Sequence, residues 1–154
     1  MESLFEHAGG LPAFEALAAA HHARCLADPE LNHPFSHVDN HPDHVSRLAA
    51  YWAEVVGGPA EFSAHNADPE TSVLRLHACG EDLPDWGERF TACFVAAMDD
   101  AGLPDDAAFR DAMRAYMDWA VRRVVAVMPG AAEDVQRQRG VPRWSWDGLV
   151  TDDR

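Results

Sequence analysis

Residues 47–59 read RLAAYWAEVVGGP. Leu48, Ala49, Trp52 and Val55 or Val56 recur at the spacing of one face of an α-helix, and Val45 extends the stripe upstream. Gly57-Gly58-Pro59 then stops the helix, because glycine takes the left-handed terminal conformation and proline cannot donate the next hydrogen bond. Upstream, Asn40 as cap and Pro42 in the first turn predict a start near residue 41. A helix over about 41–56 with one apolar face must lie against other elements, and the rest of the chain supplies only helices to meet it.

Gly9, Gly10 and Pro12 open a first helix of about residues 12–27 with the stripe Leu11, Phe14, Leu17, Ala18, Cys25 and Leu26. His21 and His22 project on opposite shoulders of that stripe, each roughly 50° from its centre. Asp28-Pro29 ends the helix, and LNHPFSHVDNHP (31–42) follows as a turn-rich corner in which Phe35 is the one large apolar residue. Residues 60–72 read as loop, and SVLRLHAC (72–79) as a short apolar segment carrying His77. Pro84 opens a helix of about 84–101 with Phe90, Cys93, Phe94 and Met98 inside. After the turn AGLPDD, the longest helix runs from about 105 to 128 on Phe109, Met113, Tyr116, Ala120, Val124 and Val127. No segment alternates with period two, so the expected class is all-α, with a tail, VPRWSWDGL (141–149), apolar enough to dock.

Composition narrows the function classes. The 154 residues suffice for one core, and 47% are hydrophobic. No apolar run approaches the ~20 residues of a membrane span. The opening MESLFEHAGG lacks the basic start of a signal peptide. Cys25, Cys79 and Cys93 read as reduced thiols, which with the absent signal predicts a cytoplasmic protein. Twelve basic against 26 acidic residues leave a net charge of −14, which argues against nucleic acid and against anionic membrane surfaces.

Histidine is the unusual component. Seven of the nine (His21, His22, His33, His37, His41, His44 and His65) lie between residues 21 and 65, and His77 follows. Histidine is the commonest metal ligand and a ready acid or base. His33, His37, His41 and His44 have helical spacing, but Pro34 and Pro42 interrupt the segment. They read either as a solvated corner or, with Asp39 or Asp43, as a metal site in a four-helix protein. His77 in isolation reads as a hydrogen-bonded core histidine or as a ligand. Glycine-rich phosphate loops, serine nucleophile elbows and paired-cysteine motifs are absent from the sequence.

In their order and spacing, HAGG (7–10), HHARCLADPEL (21–31), HPFSH (33–37), RLAAYWAEVVGGP (47–59), DPETSVLRLHACG (68–80) and PRWSWDGL (142–149) resemble the group II truncated haemoglobins, in an actinobacterial-looking branch. The resemblance covers most of the chain. It implies a globin-like two-over-two helical sandwich, with residues 1–130 forming the globin domain and 131–154 a tail packed on it. It also implies haem b (iron protoporphyrin IX) bound through His77 as the proximal iron ligand. His22 falls where the family has a distal tyrosine or histidine, and His21 at an aromatic position beside the pocket. Phe35 matches the corner aromatic over the haem. Arg75, and more weakly Arg47, match propionate partners, and Leu48, Trp52 and Phe90 pocket walls. Group II members usually carry a tryptophan that donates to the ligand where Phe90 stands here. Trp86 lies one turn earlier, so His22 is left as the main polar contact.

On that reading the partners are O2, CO, NO or peroxide and an unidentified electron donor, with the chain a monomer or a homodimer. An N–H from His22 would favour bound O2 by about 1–3 kcal/mol. His22 could also move a proton between the oxygens of peroxide, which makes peroxidase-like or NO-detoxifying redox activity chemically accessible. Direct ligation of the iron by His22 or His21 is a further expectation. The competing readings are a non-haem metal protein built on His33, His37, His41 and His44, and a haem-free helical interaction module.

Overall fold

The computed structural model describes residues 2–31, 43–80, 83 and 85–151. Its helices are α1 (Leu4–Ala8), α2 (Leu11–Ala27), α3 (His44–Val55), α4 (Glu61–Ala64), α5 (Pro69–His77), α6 (Trp86–Asp100) and α7 (Ala107–Val127), followed by a 3-10 turn at Ala132–Asp134. A two-residue antiparallel hairpin, β1 (Trp144–Ser145) and β2 (Gly148–Leu149), closes the tail and is an addition to the all-helical expectation. Among the described residues no helix is long and apolar enough to cross a membrane.

The long helices begin and end where local chemistry requires. Pro12 sits in the first turn of α2, and the N–H of Asp28 closes its end on the carbonyls of Arg24 and Cys25. Asp106 caps α7 by accepting from the Phe109 N–H at 3.2 Å. At the end of α3, Gly57 takes φ 105°, a left-handed conformation. Gly58 is needed for a different reason. A Cβ there would lie 2.7 Å from the Ala53 carbonyl oxygen and 2.8 Å from the Phe5 ring. The Phe5 N–H donates to Val56 O at 3.0 Å, so the Gly-Gly pair is where α1 is pinned to the end of α3.

Helix α2 packs on α3 along one side and on α6 along the other, and α6 packs on α7. Phe14 and Leu17 of α2, Phe94 of α6 and Phe109 and Met113 of α7 are buried to 1% exposure or less, which makes this junction the core. Each such side chain contributes roughly 1.5–3 kcal/mol by leaving water. The buried face of α2 is Phe14, Leu17, Ala18, His21, His22 and Cys25, whereas Leu11 is exposed and Leu26 only partly buried. The stripe therefore turns toward the histidines rather than away from them. In the tail, the Trp144 indole N–H donates to Ala112 O at 3.0 Å, and that of Trp146 to Glu2 O at 2.9 Å.

Gly58→Ala must displace either a backbone carbonyl or a buried ring. It is expected to lower the stability of the protein by about 2 kcal/mol, read from the urea midpoint, with little change in the slope.

Candidate functional site

The site is built on α5, which runs Pro69–His77. Asp68-Pro69 starts it, and both its ends are tied to α7 or to the chain just beyond. At the N-terminal end Arg123 Nη1 donates to Glu70 Oε1 at 3.0 Å, and the Gln138 N–H donates to Thr71 Oγ1 at 2.7 Å. At the C-terminal end the N–H groups of Cys79 and Gly80 donate to Met128 O at 3.1 and 2.9 Å. His77 closes the helix. Its Nδ1 is 2.8 Å from Val73 O, and a carbonyl can only accept, so Nδ1 carries the proton and Nε2 keeps a lone pair. Burial pushes the His77 pKa below its ordinary value, with the Val73 hydrogen bond opposing, so the neutral ligating form is favoured.

His77 lines a cavity of about 620 Å³ between α3, α5, α6 and α7. That volume lies within the ~300–1,000 Å³ of typical cofactor sites. Of the residues anticipated from sequence, Arg47, Leu48, Trp52, Phe90 and His77 are on its walls. Leu76, 81% exposed, also faces it, an apolar side chain that a bound apolar group would cover. Trp86 stacks on Phe90 at 4.7 Å and meets the His77 ring edge-on at 6.1 Å. It therefore stands on the His77 side of the cavity. Its indole N–H is buried and has no hydrogen-bond partner among the described residues.

The histidine doublet divides. His21 is fully buried, and its Nε2–H donates to Phe90 O at 3.3 Å. Its ring meets those of Trp52 and Phe90 edge-on at 5.3 and 4.4 Å, the packing role anticipated for it. His22 is also buried, and its ring lies 5.2 Å from that of His44. Of these three imidazoles it is His44 that forms part of the cavity wall. Sequence reasoning placed His44 with the corner histidines. Its helical distance of four from Leu48 was the available signal that it shares a face with a pocket residue. Arg75 is exposed and is not among the residues lining the cavity, whereas Arg47 is. Phe35, His33, His37 and His41 lie outside the described residues. Among the described residues no group of three or more His, Cys, Asp or Glu is placed to hold a metal ion.

The inner end of the cavity is polar, which the sequence did not reveal. Glu70 is 3% exposed, accepts from the Tyr51 hydroxyl at 2.8 Å and pairs with Arg123. Arg123 also donates to Gln138 and lies 4.7 Å over the Trp119 ring. Burial raises the Glu70 pKa, and Tyr51 and Arg123 oppose the shift. Nothing in DPETS marks its glutamate as buried, because the arginine that compensates it is 53 positions away.

A histidine with an oriented lone pair in an apolar cavity between helices is an arrangement able to hold a prosthetic group. Residues 3–125 match the bacterial-like globin family, and the chain belongs to it. Globin membership implies a haem cofactor, and the neutral His77, the apolar walls and the exposed Leu76 fit that group. The fold is that of the group II truncated haemoglobins. The Bacillus anthracis group II truncated haemoglobin superposes with TM-score 0.68 at 21% identity, covering 81% of this chain and 92% of that one. The thermostable haemoglobin of the actinobacterium Thermobifida fusca gives 0.66 at 25%, covering 80% and 97%. The haemoglobin of Chloroflexus aurantiacus gives 0.63 at 23%, covering 83% and 98%. No curated protein sequence matches the chain.

Burial lowers the His21 pKa from 6.5 to about 4. Between those values the unfolded chain binds a proton that the folded chain refuses. The stabilisation is thus complete above pH ~6.5 and is lost as the pH falls toward ~4. Urea unfolding of the haem-free protein at pH 7 and pH 4.5 should differ by an amount that shrinks by about 2–3 kcal/mol in His21→Phe.

Proposed function

We propose that this chain binds haem b in the cavity between α3 and α5, that His77 Nε2 would hold its iron, and that the bound haem would take diatomic gases. The observation that carries this reading is the hydrogen bond from His77 Nδ1 to Val73 O, which leaves a neutral imidazole with its other nitrogen available. When bound, haem would supply iron chemistry for binding O2, CO or NO. Leu48, Trp52 and Phe90 exclude water from the cavity, and Arg47 at its wall is a cation suited to a propionate. His44 presents an imidazole to the cavity from the first turn of α3, with the His22 ring behind it. An N–H at that position favours a ligand bearing partial negative charge by about 1–3 kcal/mol.

The pair of imidazoles extends the distal role expected of His22 alone. His44 would offer a proton donor or acceptor to a ligand held in the cavity, with the His22 ring of α2 packed beside it. Peroxidase-like or NO-detoxifying redox activity draws on the same two groups together with an electron donor of unknown identity. His21 is committed to packing and to the Phe90 carbonyl and serves the site by fixing its back wall.

Haemin titration tests the reading. The protein is expected to take up one equivalent with a Soret band, and the reduced form to bind CO. His77→Gly should lose the imidazole-ligated spectrum and regain it on adding free imidazole. His44→Leu should retain haem while weakening O2 binding by about tenfold or more. A protein that develops no Soret band, or a His77→Gly spectrum indistinguishable from wild type, would overturn the proposal.

A further inference from the structure

Helices α6 and α7 enclose a second, open groove of about 920 Å³, which His77 does not line. Its floor is small and apolar: Gly87, Ala92 and Ala96 from α6, with Val121 and Val125 from α7. Thr91 also opens onto it. This residue is 7% exposed, and its hydroxyl is closed off from solvent with no hydrogen-bond partner among the described residues. The rims carry opposite charges. Glu88 and Asp99 stand on the α6 side and Arg114 and Arg122 on the α7 side, all four exposed, with the half-buried Asp118 of α7 midway between the two arginines and level with the uncharged middle of α6. Among the described residues Glu88 and Arg114 make no ion pair, and Arg122 bonds only to the Asp118 carbonyl of its own helix.

The heights of these charges along the groove decide what fits it. The helices run antiparallel through the turn after Asp100. Gly87 lies against Val121 and Val125, and Asp99 is paired with Arg110. Glu88 and Arg122 therefore share one end, and Asp99 and Arg114 the other. A two-fold axis running along the helices lays α6 of one molecule over α7 of another at equal height. Glu88 then meets the partner's Arg122, and Asp99 the partner's Arg114. A two-fold axis across the helices would instead oppose Glu88 to Asp99 and Arg122 to Arg114. The pattern is self-complementary in the first arrangement and repulsive in the second.

We propose that this groove is a homodimer interface, in which α6 and α7 of two copies form a four-helix layer about a two-fold axis parallel to the helices. The proposal does not depend on a bound group, since apart from Val121, which lines both, the groove and the cavity are walled by different residues of α6 and α7. The exposed Ala92 and the half-buried Val125 lose their contact with water.

Sedimentation equilibrium of the full chain from about 1 to about 200 µM, haem-loaded and haem-free, tests it. A dimer is expected in both forms. Glu88→Arg and Arg122→Glu should each weaken the dimer by about tenfold or more, and the double variant should recover to within about threefold of wild type. Thermal melts matching wild type show that these exposed positions leave the fold intact. A chain that stays monomeric throughout, or a dimer indifferent to both single reversals, overturns the proposal.

Discussion

The anchoring of one short helix determines the rest of the site. Helix α5 is nine residues long, so most of its backbone groups lie within four positions of an end and find little support within the helix itself. Its position comes from outside: Arg123 on Glu70 and the Gln138 N–H on Thr71 at one end, Met128 O under Cys79 and Gly80 at the other. These contacts hold α5 to α7 and leave space between α5 and α3. The cavity is that space, and His77 faces it because α5 is fixed at both ends.

The buried charge at the inner end of the cavity is expensive in isolation. A carboxylate at 3% exposure needs compensation, and Tyr51 and Arg123 supply it from two other helices. This polar knot joins α3, α5 and α7 at one point. Opposite it, the His21 bond to Phe90 O joins α2 to α6. The two junctions bracket the apolar walls. A group bound between them meets hydrocarbon on its flanks and polar atoms at wall positions that include His77, His44, Arg47, Trp86 and the Tyr51–Glu70–Arg123 cluster.

The long helices were legible in sequence because their boundaries are written locally. Pro12, Asp28-Pro29, Gly57-Gly58 and the Asp before α7 each act within a few residues, and the observed ends lie within three positions of those expected. The short helices α4 and α5 were not legible. A segment of four or nine residues holds too few turns for a stripe, and in α5 the one fully buried aliphatic side chain is Leu74. The apolar Leu76 beside it misleads a burial argument, because it faces an open cavity rather than the core. Periodicity marked Leu48, Trp52 and Phe90 as inward-facing, whereas their place around a pocket was an implication of the family resemblance.

The sequence by itself determined the all-helical class, the family, the main helix ends and the imidazole at residue 77. Those properties follow from periodicity, caps and order along the chain. Only tertiary structure decided that His21 meets the Phe90 carbonyl while His22 packs beside His44, that His44 rather than either of them reaches the cavity wall, and that Glu70 is buried against Arg123. Spacing sets a side chain's direction around its own helix axis. What it meets there depends on how segments tens of residues apart are packed together, and no local pattern carries that information.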